Sequence, residues 1–231
     1  MRALRILLIV AVVLGAVFVA LDRAAVYFAE SEAEGRVRFA GAETGRTEVS
    51  IKGFPFLTQI AGSELGQVDV EVSDIEASAA GRTIRISEIR ARLHEVVLGA
   101  GYTSATASRA TGTAVVSYAD LTAVADEGVT VAYGGNGKVK VTGSVEIPVL
   151  GKTVSRSVLS TVALTGGDTV EVRADEVPGE GIPGLEDLVR SKTDFERKVG
   201  GLPEGLRLER IEVAPGGLEI SVSGTDIALA G

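Results

Sequence analysis

The amino-acid sequence predicts an α+β, β-rich fold: a long curved antiparallel sheet wrapped around one or two helices, preceded by an N-terminal transmembrane or signal helix. Three observations support this class. Valine and isoleucine alternate with polar residues through most of the chain, glycine-rich turns separate these stretches, and residues 4–21 form an apolar run whose one charged residue, Arg5, lies at its start. Alternation with a period of two is typical of strands with one face on a core, whereas a long apolar run suits a membrane helix.

The apolar run follows Arg2, has Arg5 at its start and would extend about 27 Å as a helix, close to the hydrocarbon thickness of a bilayer. It is longer than the apolar part of a typical signal peptide, and no clear small-x-small cleavage site lies near its end. We therefore interpret residues 1–25 as a signal anchor, with a cleaved signal peptide as the alternative. The two arginines indicate a single-pass protein of the cytoplasmic membrane whose C-terminal domain faces the periplasm or cell exterior.

Beyond the apolar run, an amphipathic stalk is predicted over residues 26–40, because apolar side chains recur there at helical spacing among glutamates. These apolar residues are Val26, Ala29, Ala33 and Val37. No low-complexity linker divides the remaining sequence, so residues 41–231 are interpreted as one domain.

A proline between two phenylalanines marks a bend early in this domain. Because Pro55 lacks a backbone donor and disfavours helical geometry at Phe54, we expect a strand to end at Gly53-Phe54 and a short helix to follow, carrying Phe56, Leu57 and Ile60. Local chemistry favours a hydrophobic plug at the end of a core, and a lip that contacts a ligand is the alternative.

Residues 66–98 contain a hairpin with two closely matching arms. The predicted register pairs Val68 with Leu93, Val70 with Ala91, Val72 with Ile89, Ile75 with Ile86 and Ala77 with Ile84. The period of two slips by one residue at Ser73-Asp74 and, opposite it, at Ser87-Glu88. Because a one-residue slip exchanges the faces of a strand, we expect a strongly twisted or bent ribbon.

The sequence after residue 98 predicts further strands and two helices. Alternation over residues 129–177 predicts a meander, with a turn at residues 134–137, and closing strands are expected over residues 206–213 and 218–229. A short helix is predicted after Ser117, which is a good N-cap, and a longer one over residues 184–199.

Composition argues against several function classes. The net charge of −8 is unfavourable for nucleic-acid binding, and the absence of cysteine removes thiol catalysis and cysteine-ligated metals. The one histidine, His94, has no accompanying catalytic motif, and the adjacent carboxylate pairs are ordinary on an acidic protein, although a glycosidase could use such a pair. We therefore expect no enzyme activity, no cofactor, no metal site and no nucleic-acid partner.

A bent sheet with small aliphatic side chains can close as a filled core or leave a groove for acyl chains, and the residues alone leave both possibilities open. The stretch Gly-Phe-Pro-Phe-Leu-Thr-Gln at residues 53–59, the apolar N-terminus and the strand at residues 66–72 resemble the LmeA-like phospholipid-binding family of actinobacterial cell-envelope proteins. Weaker similarities are Ser-Tyr-Ala-Asp-Leu at residues 117–121 and Leu-Pro-Glu-Gly-Leu at residues 202–206.

The resemblance implies an exported protein that binds phospholipid at the membrane and supports envelope-lipid or lipoglycan maturation. It assigns a hydrophobic mouth or lid to Phe54, Pro55, Phe56 and Leu57, and Ile60 joins them as a candidate lipid-binding residue. The alternative function is an envelope scaffold or assembly factor that binds no lipid, with protein or glycan partners.

Overall fold

In the computed structural model, the described residues are 2–37, 42–79, 82–102, 104–147, 152–175, 190, 193–200, 202 and 204–229. The helices are α1 (Arg2–Glu34), α2 (Phe56–Ala61) and α3 (Tyr118–Val124). The strands are β1 (Ala42–Glu43), β2 (Thr47–Lys52), β3 (Glu64–Ala79), β4 (Arg82–Leu98), β5 (Ala105–Val116), β6 (Val129–Gly135), β7 (Lys138–Ile147), β8 (Lys152–Thr165), β9 (Thr169–Ala174), β10 (Phe195–Lys198), β11 (Leu206–Ala214) and β12 (Gly217–Ala228). The structure is therefore mostly β with few helices, as the sequence predicts, and its strands form two antiparallel sheets.

The N-terminal helix α1 is a single element of 33 residues, about 50 Å long. It is long and apolar enough to cross a membrane. Its first part, including residues 4–21, is exposed along its whole length, whereas Asp22 and Val26 in its second part are buried. Val26, Ala29 and Ala33 of α1, together with Val37 beyond its end, pack against the core of the domain. The domain boundaries themselves stay a prediction.

The first sheet has seven strands in the order β1-β3-β4-β5-β12-β11, with β2 also paired to β3. All neighbouring pairs are antiparallel. The β3–β4 hairpin confirms the predicted register at all five pairs. The irregularity also lies where it was predicted: Asp74 adopts a positive φ of 55°, and the pairing is interrupted between Ser73 and Ile75.

A second interruption crosses the same sheet near its other end, and the sequence reading missed it. The regular pairing is broken at one position on each of four neighbouring strands, and two of these residues have positive φ. The four positions are Gly66, Glu95 (φ 52°), Ser108 and Asp226 (φ 54°). Residues three apart across this line, such as Leu93 and Val96, are therefore buried in the same core cluster. Interruptions of this kind bend strands and increase their twist.

The second sheet has five strands in the order β10-β9-β8-β7-β6. It confirms the predicted meander, including the turn in which Asn136 and Gly137 both have positive φ. The closing hairpin β11–β12 and α3 are also confirmed, with the Ser117 side chain accepting a hydrogen bond from the Asp120 amide.

The helix predicted over residues 184–199 is wrong at its C-terminal end, where β10 pairs with β9. Phe195 is opposite Val172, so the edge of the second sheet takes up these residues, overriding their helical spacing. Most of the remaining positions of that predicted helix, 184–189, 191 and 192, lie outside the described residues.

Two hydrophobic clusters lie at opposite ends of the first sheet. The first is built around Leu65, Val96 and Ala107 and includes residues of α1 and α2. The second lies between the second sheet and the start of β12, with Val139, Val158 and Leu218. The strands β5 and β12 extend from one cluster to the other and so connect them.

The backbone at Glu95 provides a test of the interruption. Glu95→Gly is expected to leave the free energy of unfolding unchanged or to raise it, because glycine adopts positive φ without steric cost. As a control, Thr111→Gly changes an exposed and regularly paired residue of β5, and should lower that free energy by about 0.5–1 kcal/mol. Chemical denaturation of the full chain in mild detergent measures both. Equal losses would contradict the left-handed conformation at Glu95.

Candidate functional site

The corner formed by residues 53–59 lies between β2 and β3, beside α1. The predicted end of the strand and restart as a helix are both confirmed, because β2 ends at Lys52 and α2 begins at Phe56. Gly53 has a φ of 99°, a conformation that favours glycine. The Gln59 side chain accepts a hydrogen bond from the Gly66 amide (2.9 Å) and donates one to the Lys52 carbonyl (3.3 Å). These contacts hold the corner against the end of β2 and the start of β3.

The five predicted lipid-binding residues divide into two groups. Phe56 is buried at 4% exposure in the first cluster, with Ile60 packed against it and Pro55 half-buried. Phe54 and Leu57 are exposed, at 59% and 36%. The corner is therefore a plug on one side and an exposed apolar lip on the other. The role of these residues in lipid binding stays a prediction.

The exposed ring of Phe54 contacts α1. It lies edge-on to Phe18, with 6.5 Å between ring centroids, and the Arg23 guanidinium lies 5.4 Å from the Phe54 centroid. Phe18 belongs to the apolar run and Arg23 follows its end. The corner is thus held at the level where the apolar part of α1 ends.

Asp22 joins α1 to α2. Its side chain is completely buried, one carboxylate oxygen accepts a hydrogen bond from the Leu57 amide (2.8 Å), and the other accepts one from Arg23 (2.6 Å). The amides in the first turn of a helix have no partner within that helix, so a carboxylate there is favourable. Asp22 therefore serves as the cap that Pro55 cannot provide, since no side-chain hydrogen bond caps α2 locally.

Burial acts to raise the pKa of Asp22, but hydrogen bonds from Arg23 and from the amides of Leu57 and Phe56 outweigh it and hold the pKa below its ordinary value of 3.8. A carboxylate with a lowered pKa stabilises the folded chain at every pH above its ordinary pKa. This stabilisation is lost only as the pH falls through the lower, folded-state value.

One side of the first sheet, which we call the aliphatic face, connects the two clusters. Directly paired residues of antiparallel strands point to the same side, so the register defines this face. It consists of two cross-strand rows, Val70–Ala91–Gly112–Val222 and Val72–Ile89–Ala114–Ile220. All of these residues except Val72 are only half-buried. The small residues Ala91, Gly112 and Ala114 occupy the middle of the face.

The opposite side of the sheet is charged. Arg90 pairs with Glu71 and Glu88, and Arg92 with Asp69 (3.6 Å). A cavity of about 510 Å³ lies on this side, lined mainly by charged, serine and threonine residues, among them Asp69, Glu71, Arg90 and Arg92. The intervening row Val70, Ala91, Gly112 and Val222 also borders it. Placing hydrocarbon against ionised groups removes their hydration, so this cavity is unsuited to acyl chains. Burial is the main cause that raises the pKa of Glu88, and the neighbouring Glu71 adds to it.

Sequence reasoning missed Asp22 as a buried cap and the central small residues of the aliphatic face. Once the pairing of β4 with β5 is known, Ala91 lies opposite Gly112, and Ala114 lies two residues further along the same side of β5. This grouping of small residues was a usable signal for the face. His94, on β4, is half-buried and pairs with Gln67 and Arg109. Among the described residues, no group of three or more His, Asp or Glu side chains is placed to hold a metal ion.

Comparison with protein families gives a match over most of the chain. The model of the family described as LmeA-like phospholipid-binding matches residues 20–223. Comparisons with curated proteins and with solved structures gave no significant match. The matched region includes the second part of α1, the corner and the whole aliphatic face.

Asp22 can be tested by mutation. Asp22→Ala should lower the thermal unfolding midpoint and accelerate hydrogen exchange at the Leu57 amide, because that amide loses its acceptor in a buried place. Asp22→Asn keeps one oxygen acceptor and should have a smaller effect. The control, Glu32→Ala on the exposed side of α1, should leave the midpoint unchanged. Unchanged exchange at Leu57 in Asp22→Ala would show that the cap does not hold α2.

Proposed function

Since the chain belongs to the LmeA-like phospholipid-binding family, we propose that it is a membrane-tethered phospholipid-binding protein that holds acyl chains against the aliphatic face of its first sheet. The observation that carries this proposal is the half-buried state of that face. Its side chains keep accessible apolar surface in a region where a filled core would bury them.

The dimensions of the aliphatic face suit an acyl chain. From Ala110, in the first cluster, to Val116, beside the second, the strand extends about 20 Å. This exceeds the roughly 15 Å that one leaflet contributes to the hydrocarbon core of a bilayer. Each methylene removed from water contributes about 0.8 kcal/mol, so a chain on this face needs no specific polar contact.

The corner provides a route between the membrane and this face. Phe54 and Leu57 are exposed at the end of the domain nearest the apolar run, and Phe56 and Ile60 continue from them into the first cluster. A chain that passes Phe54 and Leu57 therefore meets apolar side chains continuously. We assign Phe54, Pro55, Phe56, Leu57 and Ile60 to the mouth of the binding site in this sense.

The location follows from α1. With the apolar run in the cytoplasmic membrane and Arg2 and Arg5, before and at its start, towards the cytoplasmic side, the domain would face the periplasm or cell exterior. The protein would bind lipid without catalysing a reaction, and would thereby support envelope-lipid or lipoglycan maturation.

Native mass spectrometry of the full chain, purified from membranes in mild detergent, tests the proposal. We expect a stoichiometric phospholipid adduct that organic extraction identifies. A chain that carries no lipid and takes up no added phospholipid would show that the interior is filled. The scaffold or assembly function would then be preferred.

Filling the aliphatic face should weaken lipid binding. Ala91→Leu combined with Ala114→Leu is expected to displace about two methylenes, at about 0.8 kcal/mol each, and to weaken phospholipid binding about tenfold. The control, Thr113→Leu, adds the same side chain to the neighbouring position on the opposite side of β5 and should bind as the wild type does. Native mass spectrometry measures the phospholipid occupancy of each protein, and circular dichroism checks that each protein is folded. Equal binding by all three proteins would exclude this face.

The lip can be removed without changing the core. Phe54→Ala combined with Leu57→Ala should slow the uptake of fluorescent phosphatidylcholine from vesicles, while the stability change stays small because both side chains are exposed. Phe56→Ala is unsuitable as a test of the lip, because truncating a buried phenylalanine costs about 3–5 kcal/mol. Normal uptake by the double variant would remove Phe54 and Leu57 from the mouth.

A further inference from the structure

Four exposed side chains at one end of the first sheet form an apolar surface that we call the apolar rim. They are Phe54 (59% exposed), Leu57 (36%), Val97 (51%) and Tyr102 (53%). Phe54 and Leu57 belong to the corner before β3, whereas Val97 and Tyr102 come from the end of β4 and the turn that follows it. Two separate parts of the chain therefore contribute to the rim.

Hydrogen bonds place these two parts side by side. The Leu98 amide donates to the carbonyl of Ser63 (2.9 Å), shortly after α2 ends, and the Tyr102 amide donates to the Gly99 carbonyl (3.0 Å). Val96 is buried in the first cluster, so its neighbour Val97 points to the other side of β4. The core thus fixes Val97 in an exposed position.

The contact with α1 sets the height of the rim relative to a membrane. Phe18, which packs against Phe54, lies about 4–5 Å along the helix axis before Leu21, where the apolar run ends. Arg23 lies two residues beyond Leu21, and its guanidinium lies over the Phe54 ring. Tyr27 and Phe28 are exposed about 9–10 Å beyond Leu21. Aromatic and basic side chains at this height are typical of the bilayer interface.

We propose that the apolar rim inserts into the interface of the membrane that α1 crosses, so that the domain has a second contact with the bilayer besides its helix. The inference rests on the tethering in the proposed function. The occupant is the lipid surface, because α1 itself brings Phe54 to the boundary of the hydrocarbon. Val97 and Tyr102, at the same end of the sheet, then face the same leaflet.

Single tryptophans test the rim, since the chain contains none. The full chain is reconstituted in phosphatidylcholine vesicles whose acyl chains carry bromine, which quenches nearby indoles. Val97→Trp and Tyr102→Trp are expected to be quenched about as strongly as Leu21→Trp at the end of the apolar run. Leu8→Trp serves as the deep reference. Leu159→Trp, exposed on the second sheet, should not be quenched.

The position of Val97 separates the bilayer from a bound lipid. A phospholipid on the aliphatic face lies against the core side of the sheet, whereas Val97 is on the other side, so quenching there reports the bilayer itself. Tyr102→Trp, in a turn, provides a second probe should Val97→Trp fail to fold.

The possible outcomes are distinct. Quenching at Leu8 without quenching at Val97 and Tyr102 would overturn the rim contact while the tether stands. A shift of Val97→Trp emission to shorter wavelength without bromine quenching would indicate a protein contact and would also overturn it. Absence of quenching at every position, Leu8 included, would disprove the tether, and the rim contact would fail with it. Lipid occupancy by native mass spectrometry is read independently of all three.

Discussion

The arrangement of the first sheet depends on how its edge at β2 is closed. An edge strand presents amides without partners, and here two of them donate to carboxylates of α1: Ile51 to Glu30 (2.7 Å) and Val49 to Glu34 (3.3 Å). The spacing makes this possible, because four residues of helix rise about 6 Å and two residues of strand about 6.8 Å. Glu30 and Glu34 of α1 can therefore accept hydrogen bonds from alternate amides of β2, while Val26 packs in the first cluster. The second part of α1 and the sheet consequently form one packed unit.

The positive-φ residues determine which surface the sheet presents to each cluster. At the line through Glu95 and Asp226, residues three apart become buried together, so the aliphatic side continues into the first cluster without a charged row between them. Without the interruption, strict alternation would turn Val96 to the side of the ion pairs. The same backbone irregularity thus preserves a continuous apolar surface and leaves Val97 exposed.

Local patterns predicted most of the fold. The β3–β4 register followed from pairing apolar residues, and α3 from the cap at Ser117, because both depend on residues close in sequence. The interruption at Glu95 was visible only as a spacing of three between Leu93 and Val96. The cap at Asp22 joins residues 35 positions apart, and Glu30 and Glu34 entered the prediction only as glutamates among the apolar residues of an amphipathic stalk. Such contacts depend on how elements pack, which periodicity does not determine.

In a tethered protein of the kind proposed above, the continuity of α1 would limit where a bound lipid can travel. The helix passes from its apolar run into the packed domain without a break, so the two parts are joined rigidly. With the apolar run in a membrane, the domain would diffuse laterally with it and would not reach another membrane layer. An acceptor of its lipid would then have to come to it within the same plane, where confinement to two dimensions raises the effective concentration of anchored partners.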